Sequence, residues 1–455
     1  MAEPRERPAP GWPPTLVAAV AWAALATSAA GQEQPAADEA PATTESYALH
    51  GQTTFTDQFH FAFHSPYQGP NSLSPDAEGR ETWDVTIYDG YRPWTGGEFW
   101  VAPELDQGFG LNNTFGIAGF PSGEAYKIGE AAPYVRLQRI FFRQTIDLGG
   151  DRQKIDSGLL QLAGSQTENR LVFTVGKFSV TDIFDANDYA HDPRNDFLNW
   201  SIIDTGTFDY AADAWGYSAG GAAEWYQGNW TLRGAVMDLS IVPNSPTLTS
   251  NFSQFQLIGE GERRWTLAGR AGVARITGYW GRARMGTFDA AIALAQSDGG
   301  VPSTALVRRY RSRGGFGLDA QQALTRDLGV FARAGVTNGD IEPYEFTDID
   351  RTAAVGLSLR GRPWGRPDDA VGLAGVINGI TAAHELYFAD GGLGTLIGDG
   401  QLPHPGTERI LETFYSVPVG RYAHVTLDYQ FVDNPAYNRD RGPVSILAAR
   451  IHAQF

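Results

Sequence analysis

The feature that most restricts this chain is a two-residue rhythm of apolar side chains. It recurs along most of the sequence without a long apolar helical run. The final segment, SILAARIHAQF, places Leu447, Ala449, Ile451, Ala453 and Phe455 on one face and Arg450, His452 and Gln454 on the other. A period of two is the signature of a strand with one apolar and one polar face. YAHVTLDYQF repeats it, with Ala423, Val425, Leu427, Tyr429 and Phe431 opposite His424, Thr426, Asp428 and Gln430. TAAVGLSLR sets Ala353, Val355, Leu357 and Leu359 against Thr352, Ser358 and Arg360, and GVFARAGV sets Val330, Ala332, Ala334 and Val336 against Phe331 and Arg333. Near the start, Phe59, Phe61 and Phe63 alternate with Gln58, His60 and Ala62. Beyond residue 47 no apolar run reaches the length of about 18 residues that a membrane helix needs.

A soluble sandwich alternates too, so length and loop rhythm have to decide. In WGYSAGGAAEWY, Trp215, Tyr217, Ala219, Gly221, Ala223 and Trp225 share a parity, aromatic at both ends and small between. At about 3.3 Å per residue the tryptophans lie roughly 33 Å apart, or about 25 Å along the normal after a tilt of about 40°. This matches the apolar band of an outer-membrane barrel between its aromatic girdles. Connections alternate in length: 432 to 444, 386 to 407 and 337 to 351 are long, whereas VPVGR, GRPWGRPDD and TRDL are short. Short periplasmic turns and long extracellular loops are the barrel pattern. The chain is therefore predicted to be all-β, a transmembrane antiparallel β-barrel of about 16 strands, 18 also being compatible with the pattern of residues 98 to 147. A lipid-facing Arg at mid-membrane costs about 2 to 4 kcal/mol, so Arg333, Arg360 and Arg450 are predicted to face the lumen. On this reading Phe455 closes the last strand and is the terminal aromatic that the outer-membrane assembly machinery reads.

The amino-terminal region divides in two. Arg5 and Arg7, the run TLVAAVAWAALA and the small residues Ser28, Ala29 and Ala30 predict a signal peptide over 1–30, cleaved near Ala30. Residues 31–47, rich in Pro, Ala and acid, predict a disordered lead-in, leaving 48–455 as the barrel domain. The expected location is the outer membrane of a Gram-negative bacterium, with lipid around the barrel. The chain has no Cys, which removes thiolate chemistry, and a net charge of −17, which argues against nucleic acid as a partner.

Within such a lumen, guanidinium and carboxylate groups suit sugar hydroxyls and aromatic faces suit sugar C–H surfaces. Strand parity selects Glu98, Trp100 and Glu104 in EFWVAPEL, together with Arg136, Arg333, Arg360 and Asp428, as pore-lining substrate contacts. Arg136 and Gln138 are out of phase with Arg139 and Arg143, which requires a bulge or a position at the rim. GYSAG (216 to 220) matches the G-x-S-x-G of hydrolases, but Ser218 falls inside a strand pattern and not on a strand-to-helix elbow, so no catalytic residue is assigned. The acids of GDIEPYEFTDID (Asp340, Glu342, Glu345, Asp348, Asp350) lack the spacing of a calcium loop and read as a solvated extracellular loop. The scattered His residues support no zinc site, and no metal or cofactor is expected.

Four long stretches carry a resemblance: GGEFWVAPELDQGFGLNNTFGIAGFPSGEAYKIG (96 to 129), GKFSVTDIFDANDYAHDPRNDFLNW (176 to 200), EPYEFTDIDRTAAVGLSLRG (342 to 361) and DYQFVDNPAYNRDRGPV (428 to 444). Together they resemble the carbohydrate-selective outer-membrane porins of the OprB family, from about residue 50 to the carboxyl terminus. The resemblance implies a barrel of about 16 strands that passes glucose and related sugars by facilitated diffusion, with an arginine-containing constriction and aromatics along the path. It implies no enzyme activity. A general diffusion porin of the same architecture, a barrel lipase and a secreted all-β binding protein are the competing readings. The preferred sugar and the oligomeric state are left open.

Overall fold

The computed structural model describes residues 44–455, so the predicted signal peptide and residues 31–43 of the 31–47 segment lie outside the described residues. Sixteen strands close into one barrel, β1 (Tyr47–His60), β2 (Glu78–Trp94), β3 (Gly97–Gly108), β4 (Glu130–Ile155), β5 (Gly164–Phe178), β6 (Ser218–Gln227), β7 (Trp230–Asp238), β8 (Phe255–Leu267), β9 (Arg270–Met285), β10 (Arg309–Ala323), β11 (Leu328–Thr337), β12 (Arg351–Arg360), β13 (Ala370–Gly379), β14 (Glu408–Val419), β15 (Ala423–Asp433) and β16 (Val444–Gln454). Every neighbouring pair is antiparallel. β16 returns to β1 with Gln454 opposite Gln52 and Ile446 opposite His60. Closure is what a strand-built span requires, because lipid supplies no partner for a free sheet edge.

The wall has the predicted polarity. On β16, Leu447 and Ile451 are exposed on the outside, whereas Arg450 and His452 are each 1% exposed on the inside. β11, β12 and β15 follow their predicted faces in the same way. Tyr47, Tyr91, Trp94, Trp225 and Trp230, with Tyr422 in the adjoining 420–422 turn, are exposed at one end of the barrel, and Phe59, Trp83, Trp280 and Tyr310, with Phe61 just past β1, toward the other. These are the two aromatic belts of a membrane barrel. Seven connections are short (95–96, 156–163, 228–229, 268–269, 324–327, 361–369 and 420–422), and they alternate with eight that are mostly much longer. The carboxyl terminus sits at the short-turn end, where Gly51 and Phe455 exchange both backbone hydrogen bonds (3.2 and 3.0 Å).

Three expectations need correction. Trp215 and Tyr217 do not belong to a girdle, because β6 begins only at Ser218; both lie in the long loop 179–217, and Tyr217 is buried. Of the predicted aromatic pair only Trp225 faces lipid. The acidic segment 340–350 is solvated only at its start: Asp340 is exposed, but Glu342, Glu345, Asp348 and Asp350 are buried, each paired with an arginine or a backbone amide. The predicted lead-in ends too late, since the Glu45 carboxylate accepts from Ser157 Oγ and Ala163 N (both 2.8 Å) and Tyr47 already belongs to β1.

The hydrophobic core lies inside the barrel. Loop 109–129 brings Phe120 onto Trp200, stacked at 5.5 Å between ring centroids, and Phe346 meets Trp200 edge-on at 4.9 Å. Trp200, Phe184, Phe197 and Phe208 all come from loop 179–217 and are buried. That loop is thus held in the lumen by apolar packing as well as by the polar pins described next.

Candidate functional site

The inner wall from β6 to β11 carries a charge ladder set by strand register. Glu224 faces Arg233, Arg233 faces Glu260, Glu262 faces Arg275, Arg275 faces Asp319, and Asp319 faces Arg333 across successive strand pairs. The separations are 3.1, 2.7, 3.0, 2.9 and 3.3 Å respectively. Opposite charges directly across a ladder are the stabilising arrangement for neighbouring strands.

The inner wall grips loop 179–217 from β8, β11, β14 and β16. Arg333 donates to the carbonyls of Ala190 (2.7 Å), Ile202 (2.6 Å) and Asp185 (3.0 Å). Arg450 donates to the carbonyls of Pro193 and Asp196. Carboxylates hold amides in return: Glu412 accepts from Leu198 and Asn199, Glu260 from Asp185, and Glu408 from Ala118 and Gly119 of loop 109–129. Such charge-assisted contacts to backbone are the strong class of hydrogen bond. They satisfy peptide groups of an irregular segment that sits at membrane depth inside protein.

Against the β2–β5 side of the lumen the loop presents side chains. Arg194 enters among three carboxylates, 3.4 Å from Glu124, 3.5 Å from Glu104 and 3.9 Å from Asp84. Arg139 of β4 makes a two-pronged pair with Asp182 (2.7 and 2.8 Å) and donates to the Tyr217 hydroxyl (3.3 Å). Toward the β3–β4 loop, Arg136 lies 3.3 Å from the Trp215 ring centre and 3.5 Å from Asp213. Lys177 reaches the same Asp213 at 2.9 Å. At the other end, Arg92 and Arg143 bracket Glu98 at 2.9 and 3.6 Å, and they also donate to the carbonyls of Ala163 and Leu160 in the 156–163 turn. The set combines guanidinium forks, carboxylates and phenol or indole rings. It can exchange hydrogen bonds with a polyhydroxylated solute.

Each predicted pore-lining residue is placed by this geometry. Glu98, Trp100, Glu104 and Arg136 are gathered on β3 and β4, where the anticipated bulge lies between the Ala102 and Pro103 pairings. Trp100 is 0% exposed, donates to Glu98 at 3.1 Å and packs on Gly90, so it has no open ring face for a solute. Glu104 is buried against Thr86 and Arg194. Arg333 is buried as a loop pin and Asp428 is buried beside Gln430, on the opposite side of the lumen. Arg360 keeps its inward parity but lies exposed at the short-turn end of β12, apart from the rest. Ser218 is fully buried and its hydroxyl donates to the Asp238 carbonyl, which removes it as a nucleophile. Parity reasoning missed Asp182, Arg194, Asp213 and Tyr217 because none lies on a strand. For Asp182 and Arg194 the available signal was the dense, aperiodic Asp and Asn content of DIFDANDYAHDPRNDF; Asp213 and Tyr217 lie beyond that stretch.

The carbohydrate-selective porin, OprB family, profile matches residues 71–455. The chain belongs to the OprB family. The high-pH structure of Pseudomonas putida OprB superposes with a TM-score of 0.67 at 15% identity, covering 90% of this chain and 94% of that one. The outer-membrane channel DcaP of Acinetobacter baumannii gives 0.50 at 10% identity, over 92% and 99%. At these identities the likeness concerns the fold. No curated protein matches the chain in sequence. Family and fold are those of a carbohydrate-selective porin, a channel of the outer membrane.

Proposed function

We propose that this OprB-family porin passes glucose-sized sugars into the periplasm by facilitated diffusion, and that loop 179–217 forms its selective constriction. The observation that carries this reading is the convergence of Arg139, Asp182, Arg194 and Tyr217 in the lumen beside a loop pinned at many points. A narrowed passage lined by donors, acceptors and rings offers several weak sites in series. Transport needs binding strong enough to admit the solute and weak enough to release it. Glu98, Arg136 and Arg143 extend the polar track on either side, and Arg360 stands at the exit. Phe455, ordered against Gly51 at the seam, is the residue on which the assembly machinery would act.

Liposome swelling tests the reading with glucose, a trisaccharide and a small amino acid as solutes. Glucose entering clearly faster than a solute of smaller size supports a sugar-selective path. Rates ordered by size alone would replace it with a general diffusion porin.

A further inference from the structure

The outer surface of the barrel carries a polar cluster of its own, at the long-loop end of β9 and β10. The outward face of β9 runs Ile276, Gly278, Trp280, Arg282 and Arg284, and both arginines are exposed. Tyr310 and Ser312 continue the outward face of β10, directly across from Arg284 and Arg282 in register. Trp280 belongs to the aromatic belt, so the two arginines stand beyond it. Successive outward positions are about 6.6 Å apart along a strand, or about 5 Å along the membrane normal at a tilt of about 40°. Arg282 and Arg284 therefore lie roughly 5 and 10 Å outside the belt, at the depth of lipid headgroups.

The cluster consists of donors. Arg282 is oriented by the Tyr310 ring, 4.5 Å from its centre, and by the Ser253 carbonyl at 3.3 Å, which leaves most of its fork free. Among the described residues neither Arg282 nor Arg284 has an ion-pair partner, and the Tyr310 and Ser312 hydroxyls make no hydrogen bond. The cross-strand neighbours of Arg282 are Phe255 of β8 on one side and Ser312 on the other, a ring and a hydroxyl.

The rest of this rim is balanced or acidic. Arg409, facing outward from β14, pairs across the strand with Asp433 at 3.6 Å. On the opposite wall the outward residues directly across β1 and β2 are Asp57 and Glu81. In a chain of net charge −17, the outward arginines that the protein does not itself neutralise at this end are Arg282, Arg284 and, three strands away on β12, Arg351. Guanidinium forks flanked by hydroxyls match the oxygens of a phosphate. Basic clusters just outside the apolar band are the form in which proteins bind anionic lipid heads.

We infer that Arg282, Arg284, Tyr310 and Ser312 form a seat on the outer wall for the phosphate of an anionic lipid in the outer leaflet. The two arginines clasp the phosphate, the two hydroxyls donate to its remaining oxygens, and the acyl chains run down over the exposed Trp280 and Phe316. The seat is independent of which solute the lumen selects.

The test is native mass spectrometry of the purified barrel in detergent, mixed with a diphosphorylated lipid A, with the same lipid stripped of its phosphates, or with the phosphorylated lipid plus inorganic phosphate. The phosphorylated lipid is expected to be retained as a discrete adduct. Arg282→Gln should weaken that retention about fivefold, and the double variant with Arg284→Gln about thirtyfold, which is the contribution of one and of two basic side chains at an anionic surface. Arg409→Gln, at a neutralised position, should leave it unchanged. Heat-modifiable migration confirms that each variant is a folded barrel. Equal retention of the phosphate-free lipid, or undiminished retention by the folded double variant, overturns the seat. A loss as large in Arg409→Gln overturns it too, because the effect then belongs to rim charge in general. Displacement of the lipid by millimolar inorganic phosphate overturns the lipid as its occupant.

Discussion

Arg333 distinguishes a pore that is lined from a pore that is built. Its guanidinium donates to three carbonyls of loop 179–217 at 2.6 to 3.0 Å and sits 3.3 Å from Asp319 and 3.8 Å from Asp185, with 2% of the residue exposed. Arg333→Met keeps much of the length and removes every donor. It leaves three carbonyls without their donor and Asp185 without its cation, while Asp319 keeps Arg275 at 2.9 Å. Breaking a buried pair from one side costs about 3–5 kcal/mol, and the individual hydrogen bonds are already contained in that figure. The barrel survives, because closure does not pass through this side chain and Arg450, Glu412 and Glu260 still hold the loop. The loss is therefore local. At about 1.4 kcal/mol per factor of ten, the opening equilibrium of segment 185–202 shifts by roughly a hundredfold to a few thousandfold. Liposome swelling should show trisaccharide entry that the unmodified protein excludes, with larger and noisier single-channel conductance. An unchanged size cut-off together with weaker monosaccharide block would refute this, because that result belongs to an Arg that contacts the solute.

Three further outcomes are expected. Burial opposes the charge on His191, but the Asp204 carboxylate 3.5 Å away outweighs it and holds the imidazole up to about 9, with the Thr181 carbonyl 3.1 Å from its second nitrogen. A raised folded value means that this contribution to loop order is complete below about pH 6.5 and fades as pH rises through 9; channel noise should grow from pH 7 to 10, and a similar rise in His191→Gln would show that another group is responsible. Gly90→Ala places a methyl 2.5 Å from ring carbons of the fully buried Trp100, an overpacking that costs about 1–3 kcal/mol and should lower the unfolding temperature seen by heat-modifiable migration. Deleting Phe455 removes both backbone hydrogen bonds to Gly51 at the seam and should reduce the fraction assembled in the outer membrane, and equal assembly would exclude the proposed role of the terminal aromatic.

The wall of this protein is written in its sequence, since alternation at Leu447 to His452 and the short and long connections follow from a period of two and from the cost of charge in lipid. These are local rules, and each strand obeys them by itself. The site is a different matter. Parity correctly turned Arg333 and Glu104 inward, yet inward is not the same as free. Whether an inward arginine meets solute or is consumed by a carbonyl depends on a loop that comes from a distant part of the chain and has no periodicity. Trp215 shows the same limit, because its spacing from Trp225 imitated a girdle while the chain had already left the strand. The sequence by itself determined a closed cylinder, oily outside and polar inside. Only the tertiary structure decided which polar groups hold the plug and which remain for the solute, because that depends on long-range contacts and not on any repeat.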